Sequence, residues 1–529
     1  MFAFLSKGSN KAILLAALLF SVAYNYAFFD NVVARYPAPE NLSFYISLVI
    51  LLFCLISLFL GLVLNRFTFK PVLIVLFPLA ALASYFMNSY NVIIDTAMIQ
   101  NSIMTDSREV LDLLSMRLLL YVLLLGLLPA YFVYKANVQC GGAAKEVADR
   151  FKFLALVLFA IVTNMLLMSE HYTSFIREQK DLRYYMNPLT FIYSSVKYFE
   201  EMIAVRDTGP RTPIGDDAKI SRPDAERKLT ILVVGEATRA DHWSLNGYTR
   251  NTNPELSQQD IVNLPHVSSC ATSTAFSLPC MFSLSQFDDF NLHEANAQEN
   301  LLDVLNKAGV NLLWRDNNSD SKGVALAIPF EDFRSPGVNP QCDTECRDIG
   351  MLSGLDDYIA GHEGDITIVL HQMGNHGPAY YKRYPREFEK FTPACQSNQM
   401  ESCTREEIVN AYDNALRYSD HFLASVIEFL RPYNKDFSTG MFYMADHGES
   451  LGEMGLYLHG LPYALAPKAQ THVSSFLWLG DLDDTRKSMI SARAQEPLSH
   501  DNYFHTVLGM LDVETEIYDP ALDILSSLK

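Results

Sequence analysis

Glu236, Asp446 and His447 put two carboxylates and an imidazole into one chain, the oxygen and nitrogen ligands that a catalytic zinc takes while leaving one position open for a nucleophile or substrate. An adjacent Asp and His cannot converge on a helix or a regular strand, because neighbours there point apart. In a turn just past a strand end they can. Each of the three alone reads as an ordinary exposed loop residue; together they are candidate metal ligands. A hydroxyl would complete the set. The stretch Cys270 to Cys280 holds Thr272, Ser273, Thr274 and Ser277 between two cysteines. A free Ser or Thr oxygen is a poor nucleophile at neutral pH, and metal coordination lowers its pKa. Residue type alone does not choose among the four, and a stapled surface loop carries such residues readily.

His376 in Gly-Asn-His-Gly-Pro and His459 in Leu-His-Gly are further site candidates, suited to proton transfer, phosphate contact or a second metal. Lys322 follows the Asn317-Asn318-Ser319 turn and could neutralise a phosphate as a point charge, although an exposed loop lysine is the plainer reading. Asn101, Thr105 and Glu109 recur every four residues, which would line them along one face of a helix; a solvated face has the same spacing.

The elements that must position these groups are legible as apolar runs. Leu229 to Val234 leads into Gly235-Glu236, and Val310 to Trp314 into Arg315-Asp316-Asn317-Asn318. Ile366 to Leu370 leads into the segment His371 to Gly377, and Met441 to Met444 into Ala445-Asp446-His447-Gly448-Glu449. Strand-like runs separated by helical stretches predict βαβ units and a mainly parallel sheet. Open α/β sheets bind ligands at the carboxyl ends of their strands, so four strands would deliver acids, amides and histidines to one edge.

That domain follows a different half. Up to about Met168 the chain is dominated by apolar runs, and its mean hydropathy of +0.07 is high for a wholly soluble protein. Five segments approach the roughly 20 residues a membrane span needs: Ala12 to Phe29, Phe44 to Leu64, Pro71 to Met87, Leu118 to Val133 and Phe153 to Met168. Lys7 and Lys11, then Arg66 and Lys70, then Lys135, Lys145, Arg150 and Lys152 mark cytoplasmic ends. Five spans place the C-terminal domain outside. The expected domains are therefore a five-helix membrane domain over 1–168, interfacial helices and a Pro- and charge-rich linker over 169–228, and an exported α/β domain over 229–529.

Cysteine usage gives a second line of argument. Cys54 lies in an expected span and Cys140 in an expected cytoplasmic loop, whereas the other six fall in the exported domain as close pairs: Cys270 with Cys280, Cys342 with Cys346, Cys395 with Cys403. None shows the spacing of a zinc finger, so compartment and spacing together predict three local disulfides and an oxidising compartment, the bacterial periplasm. The net charge of −19 argues against nucleic acid as a partner.

Five spans followed by Val-Val-Gly-Glu-Ala-Thr-Arg-Ala-Asp-His-Trp at 233 to 243, Cys-Ala-Thr-Ser-Thr at 270 to 274, Trp-Arg-Asp-Asn-Asn at 314 to 318, Asn-His-Gly-Pro at 375 to 378 and Ala-Asp-His-Gly-Glu-Ser at 445 to 450 closely resemble the lipid A phosphoethanolamine transferases of the colistin-resistance type. That family belongs to the alkaline-phosphatase-like (sulfatase-like) superfamily. The resemblance implies that Glu236, Thr274, Asp446 and His447 bind a catalytic zinc, with Thr274 as nucleophile. It implies that Ser319, Lys322, His376 and His459 contact the donor phosphate or a second zinc, and that Asn101, Thr105 and Glu109 contact the ethanolamine-bearing lipid. The implied donor is phosphatidylethanolamine and the implied acceptor lipid A or lipopolysaccharide core, at the bacterial inner membrane, with the protein a monomer. Ala237-Thr238 is swapped relative to the usual Thr-Ala of the family, and Ala271 stands where relatives often have Gly; only local loop shape is at stake. The rival readings are a hydrolase or sulfatase of the same superfamily, a glycerol-phosphate transferase, and a non-catalytic receptor with a structural metal.

Overall fold

The computed structural model describes residues 9–105, 107–136, 143–179, 181–206, 211–222 and 227–528. Lys7 and Cys140 lie outside these residues, and the side chain of Glu109 lies outside the described side chains. Packing divides the chain into two compact units, Met1–Ile99 with Leu114–Phe199, and Gln100–Leu113 with Glu200–Lys529.

In the first unit, α1 (Ser9–Ala23), α2 (Tyr26–Arg35), α3 (Ala38–Val63) and α4 (Phe69–Tyr90) run in succession. Among the described residues four helices are long and apolar enough to cross a membrane: Asn41–Val63, Phe69–Tyr90, Met116–Lys135 and Ala144–Leu167. Counting α1 and α2 together as one broken span gives five. The expected span from Ala12 to Phe29 is thus not one straight helix but is bent by 52°. Asn25 sits at the break, its side-chain amide donating to Phe20 O at 2.9 Å and Asn187 O at 2.6 Å while its Oδ1 accepts from Asn187 N at 2.9 Å. An amide that captures carbonyls in this way interrupts the helical ladder and lets the helix turn. The Met116–Lys135 span contains a π-helical stretch, Val122–Leu127, whose Gly126 allows close approach: a Cβ there would stand 3.0 Å from Pro78 Cα. Large apolar side chains such as Leu156, Phe159, Leu166 and Leu167 face outward, as side chains lying against lipid would.

In the second unit, Asn101 lies in α5 (Thr96–Met104) and Glu109 in α6 (Ser107–Leu113), and Thr105 falls in the break between them. The single continuous helix expected from the four-residue repeat does not form. The Thr105 hydroxyl donates to Asn101 O at 2.6 Å, the kind of local side-chain bond that competes with helix continuation.

The rest of this unit is a seven-stranded sheet. Its strands in chain order are β1 (Lys228–Gly235), β2 (Val262–Asn263), β4 (Asn311–Asp316), β5 (Phe330–Asp332), β6 (Ile366–His371), β7 (Ser438–Ala445) and β9 (Ser475–Leu479), arranged in space as β2-β9-β7-β1-β6-β4-β5. The five strands β7-β1-β6-β4-β5 are parallel, and β9 and β2 extend one edge antiparallel. β1 is buried from Leu229 onward, because a parallel sheet covered on both faces demands an unbroken apolar run. A smaller sheet has the order β8-β3-β10, with β3 (Val267–Ser268), β8 (His472–Val473) and β10 (Leu498–Ser499). Three helices matter to the site: α11 (Thr274–Met281), α12 (Arg405–Leu430), which opens on a Thr404/Glu407 capping box, and α13 (Asp501–Met510). The three expected disulfides, Cys270–Cys280, Cys342–Cys346 and Cys395–Cys403, are all present. Cys54 is a buried free thiol.

Candidate active site and metal centre

The parallel strands end together, so the residues that follow β1, β4, β6 and β7 meet at one edge. Beyond β1, Glu236 is fully buried. Ala237 then takes a left-handed conformation, φ +52°, which costs a non-glycine residue energy unless its surroundings hold it. They do: its N–H donates to Asp446 Oδ1 at 3.1 Å and its carbonyl accepts from Tyr412 OH at 2.7 Å. From β6, Gly374 turns with φ +49° so close to Glu236 that a Cβ would stand 2.9 Å from Glu236 O. Thr238 donates to Glu236 O at 3.1 Å and accepts from Asn375 Nδ2 at 2.8 Å, so the swapped Ala-Thr pair makes its own ties between the two loops.

The side chains converge. Glu236 Oε2 accepts from the Thr274 hydroxyl at 3.0 Å and from Asn318 Nδ2 at 2.8 Å. Thr274 Oγ1 also lies 3.3 Å from His447 Nε2. His447 Nδ1 faces Gly448 O at 2.8 Å; a carbonyl can only accept, so Nδ1 carries a proton and Nε2 is the nitrogen available to a metal. That nitrogen is 3.4 Å from Glu236 Oε1 and 3.5 Å from Asp446 Oδ2. Both oxygens are buried and have no hydrogen-bond partner among the described residues. Two orphaned carboxylate oxygens thus converge with an imidazole nitrogen in a dry pocket, an arrangement that a cation bound among them would satisfy. The donor set of Glu236, Asp446 and His447 fits zinc, with Thr274 at the open side.

Of the four candidate hydroxyls, Thr274 is the one placed against this cluster. Thr272 instead donates to Leu461 O at 2.6 Å, and Ser277 Oγ is buried without a partner among the described residues. Ser273 is the residue preceding α11, whose first residue is Thr274.

A second group adjoins the first: His447, Glu449 and His459 also bring three ligand atoms together. Glu449 is fully buried, accepting from His459 Nδ1 and Tyr380 OH, each at 2.8 Å. Burial alone would lower the His459 imidazolium, but the Glu449 carboxylate outweighs it and pushes His459 up to about 9. Burial moves His376 the other way, down to about 4. The His459 ring lies 4.3 Å from that of His447 and 5.6 Å from that of His376. Ser319 and Lys322 are buried nearby in sequence, with Lys322 Nζ donating to Ser319 O at 2.9 Å and lying 3.4 Å from Met104 O.

The α6 segment is tied to the loop that carries His376. Asp112 pairs with Lys382 and, at 3.0 Å, with Arg383, and Arg383 Nε donates to His376 O at 2.6 Å. Burial would raise the Asp112 carboxyl, but the two cations outweigh it and hold it below the usual range. Asn318, Asp112, Arg383, Tyr412 and Glu449 were not among the site residues expected from sequence. Asn318 was within reach of that reasoning, since it directly follows a strand end; Tyr412 was not, because a mid-helix tyrosine carries no signal of its role.

A membrane-spanning unit joined to a parallel α/β domain with acids, imidazole and threonine at its carboxyl edge defines the class of alkaline-phosphatase-like enzymes anchored in a membrane. Residues 228–513 match the family model described as Sulfatase, and residues 52–203 the one described as Phosphoethanolamine transferase EptA/EptB. The chain is 41% identical over 516 residues to Phosphatidylethanolamine transferase Mcr-1 of Escherichia coli, covering 94% of each. It is 36% identical over 529 residues to Phosphoethanolamine transferase EptA of Escherichia coli (strain K12), covering 98% of this chain and 96% of that one. The solved structure of the integral membrane protein lipooligosaccharide phosphoethanolamine transferase A (EptA) from Neisseria meningitidis matches with a TM-score of 0.94 and 34% identity, over 98% of this chain and 99% of that one. The chain belongs to the phosphoethanolamine transferase family. It is an integral inner-membrane enzyme with a periplasmic C-terminal domain.

Proposed function

We propose that this enzyme moves phosphoethanolamine from phosphatidylethanolamine to lipid A, or to a lipopolysaccharide core sugar, in two steps through a covalent phosphoethanolamine-threonine intermediate on Thr274. The observation that carries this reading is the Thr274 hydroxyl, bonded to Glu236 at 3.0 Å and 3.3 Å from His447 Nε2 beside two orphaned carboxylate oxygens.

Glu236, Thr274, Asp446 and His447 would hold zinc; His447 has only Nε2 to offer, so a second ion would rest on Glu449 and His459 without it. Zinc bound there lowers the pKa of the threonine hydroxyl and offsets charge on the phosphoryl oxygens. In the first step Thr274 releases its hydroxyl proton to solvent and Oγ attacks phosphorus; the Oγ–P bond forms, and the bond from phosphorus to the diacylglycerol oxygen breaks. His459, held against Glu449, gives that leaving oxygen its proton. In the second step a phosphate oxygen or sugar hydroxyl of the acceptor attacks the same phosphorus and the Oγ–P bond breaks; the attacking hydroxyl, or solvent where a phosphate oxygen attacks, returns a proton to His459, and solvent returns one to Thr274. Ser319, Lys322 and His376 contact the donor phosphate, and Asn101, Thr105 and Glu109 the ethanolamine-bearing lipid. Residues 1–168 serve as the membrane domain, 169–228 as interfacial helices and linker, and 229–529 as the catalytic domain of a monomer. The added ammonium lowers the negative charge of the acceptor, weakening its attraction for cationic peptides such as polymyxin.

Intact-mass analysis of the purified enzyme incubated with phosphatidylethanolamine, beside Thr274→Ala, tests this. The expected result is a phosphoethanolamine-sized adduct on Thr274, absent from the variant. Diacylglycerol accumulating without an adduct would point to a hydrolase; neither product would remove phosphatidylethanolamine as donor.

A further inference from the structure

His500 is a buried histidine, 1% exposed, to which the reaction above assigns no role. It stands at the junction of β10 and α13, its backbone N–H donating to Ser268 O at 3.1 Å. Its ring spans two loops of the active site. Nε2 faces Ala445 O at 3.0 Å, and since a carbonyl only accepts, Nε2 carries the proton. Nδ1 is therefore bare, and it accepts the Cys270 N–H at 3.2 Å. Ala445 immediately precedes Asp446 and His447. Cys270 opens the disulfide-closed loop that holds Thr274.

We propose that His500 is a positioning residue that fixes the nucleophile loop at Cys270 against the strand end at Ala445, and so sets Thr274 relative to Asp446 and His447. The inference rests on the reading of Thr274 as nucleophile. Three features make this ring suited to the task. Each nitrogen has a backbone partner of the right polarity, so the tautomer and the ring orientation are both determined. The backbone of His500 is anchored to Ser268, on the strand of the small sheet that leads into Cys270, so backbone and ring hold the root of the nucleophile loop together. Burial keeps the imidazolium down to about 3, so the ring stays neutral and the two contacts persist across the working pH range. A rigid spacer matters here because a displacement of about 1 Å between reacting groups can cost roughly 100-fold in rate.

The test uses the full-length, zinc-loaded enzyme in detergent with phosphatidylethanolamine, comparing wild type with His500→Asn and His500→Gln. Asn keeps an acceptor near the Nδ1 position and loses the reach to Ala445; Gln keeps a donor near the Nε2 position and loses the acceptor for Cys270. Diacylglycerol release is expressed per folded, zinc-loaded molecule, using thermal melts and bound zinc to count competent enzyme. The expected result is a fall in kcat of about 10- to 100-fold in both variants, with KM for the lipid unchanged. A kcat per competent molecule that is unchanged in either variant, whether Tm or KM moves or not, overturns the proposal. Intact mass on the wild type reports separately on the nucleophile: an adduct elsewhere than Thr274 sinks that assignment while the kcat comparison still stands.

Discussion

Two buried clusters of acid and histidine lie in the same α/β unit, and they are built on opposite principles. Around Asp413, on α12, every charge is answered: its carboxylate faces His242 Nδ1 at 2.7 Å and accepts from Tyr248 OH and Arg250 Nη1, each at 2.9 Å. Around Glu236, Asp446 and His447, two carboxylate oxygens are left without hydrogen-bond partners among the described residues, and His447 Nε2 points at them. The first cluster is complete as folded. The second is complete only with a cation and a substrate. Buried polar groups in native proteins are almost always satisfied, so the cluster that is not marks where chemistry is done.

If that contrast is right, removing one acid from each cluster should have opposite consequences. Asp446→Asn should abolish transfer, by about 10,000-fold or more, as loss of one member of a catalytic unit does; bound zinc should fall with it. The metal-free variant should nonetheless melt no lower than metal-free wild type, and higher by the equivalent of ~1 kcal/mol, because a repulsive carboxylate has gone. Asp413→Ala should do the reverse. It removes the buried acceptor of His242 and Tyr248, while Arg250, 30% exposed, keeps Asn410; the loss costs about 1–3 kcal/mol of stability, while kcat per folded molecule stays near that of wild type. Denaturant melts and turnover measured on the same preparations decide both, and a stable Asp413 variant with lost turnover would break the comparison.

A third buried acid sharpens it. Asp420, also on α12, accepts from the backbone N–H groups of Glu255 and Leu256 at 2.8 and 3.1 Å and forms no ion pair among the described residues; burial pushes its carboxyl up to about 7. The folded state therefore keeps a proton that the unfolded chain loses near pH 4. Stability from this group is full below about pH 4 and falls as pH rises to about 7, by up to ~1.4 kcal/mol per pH unit. Urea melts between pH 4 and 8 should show that slope, and Asp420→Asn should flatten it. The smallest effect is expected at Asp112. Replacing it with Asn should raise KM for the donor lipid about fivefold, equivalent to ~1 kcal/mol, by loosening α6 from the loop whose His376 carbonyl Arg383 holds. An unchanged KM would detach that segment from donor binding.

Much of this architecture is written locally, and the failures are local too. The first span reads as continuous because its residues are uniformly apolar around Tyr24 and Asn25; the bend comes from Asn25 bonding Asn187, 162 residues away. The Asn101, Thr105, Glu109 repeat has helical spacing, yet Thr105 bonds its own preceding turn and the helix stops. Arg383 and Tyr412 carry no signal of their own, since Arg383 acts through the Asp112 carboxylate, 271 residues away, and Tyr412 through the backbone of Ala237, 175 residues away.

What the sequence determined by itself was the class of each half and the sheet edge where chemistry sits. Apolar runs of membrane length, strand-length apolar runs leading into Glu, Asp and His, and closely spaced cysteines act over a few residues, and their physics needs no distant partner. What the tertiary structure alone decided was which of four hydroxyls meets Glu236, which nitrogen of His447 is available to a metal, and which histidine clamps the two loops. Those are matters of distance and direction between strands far apart in the chain, and they exist only once the sheet has packed.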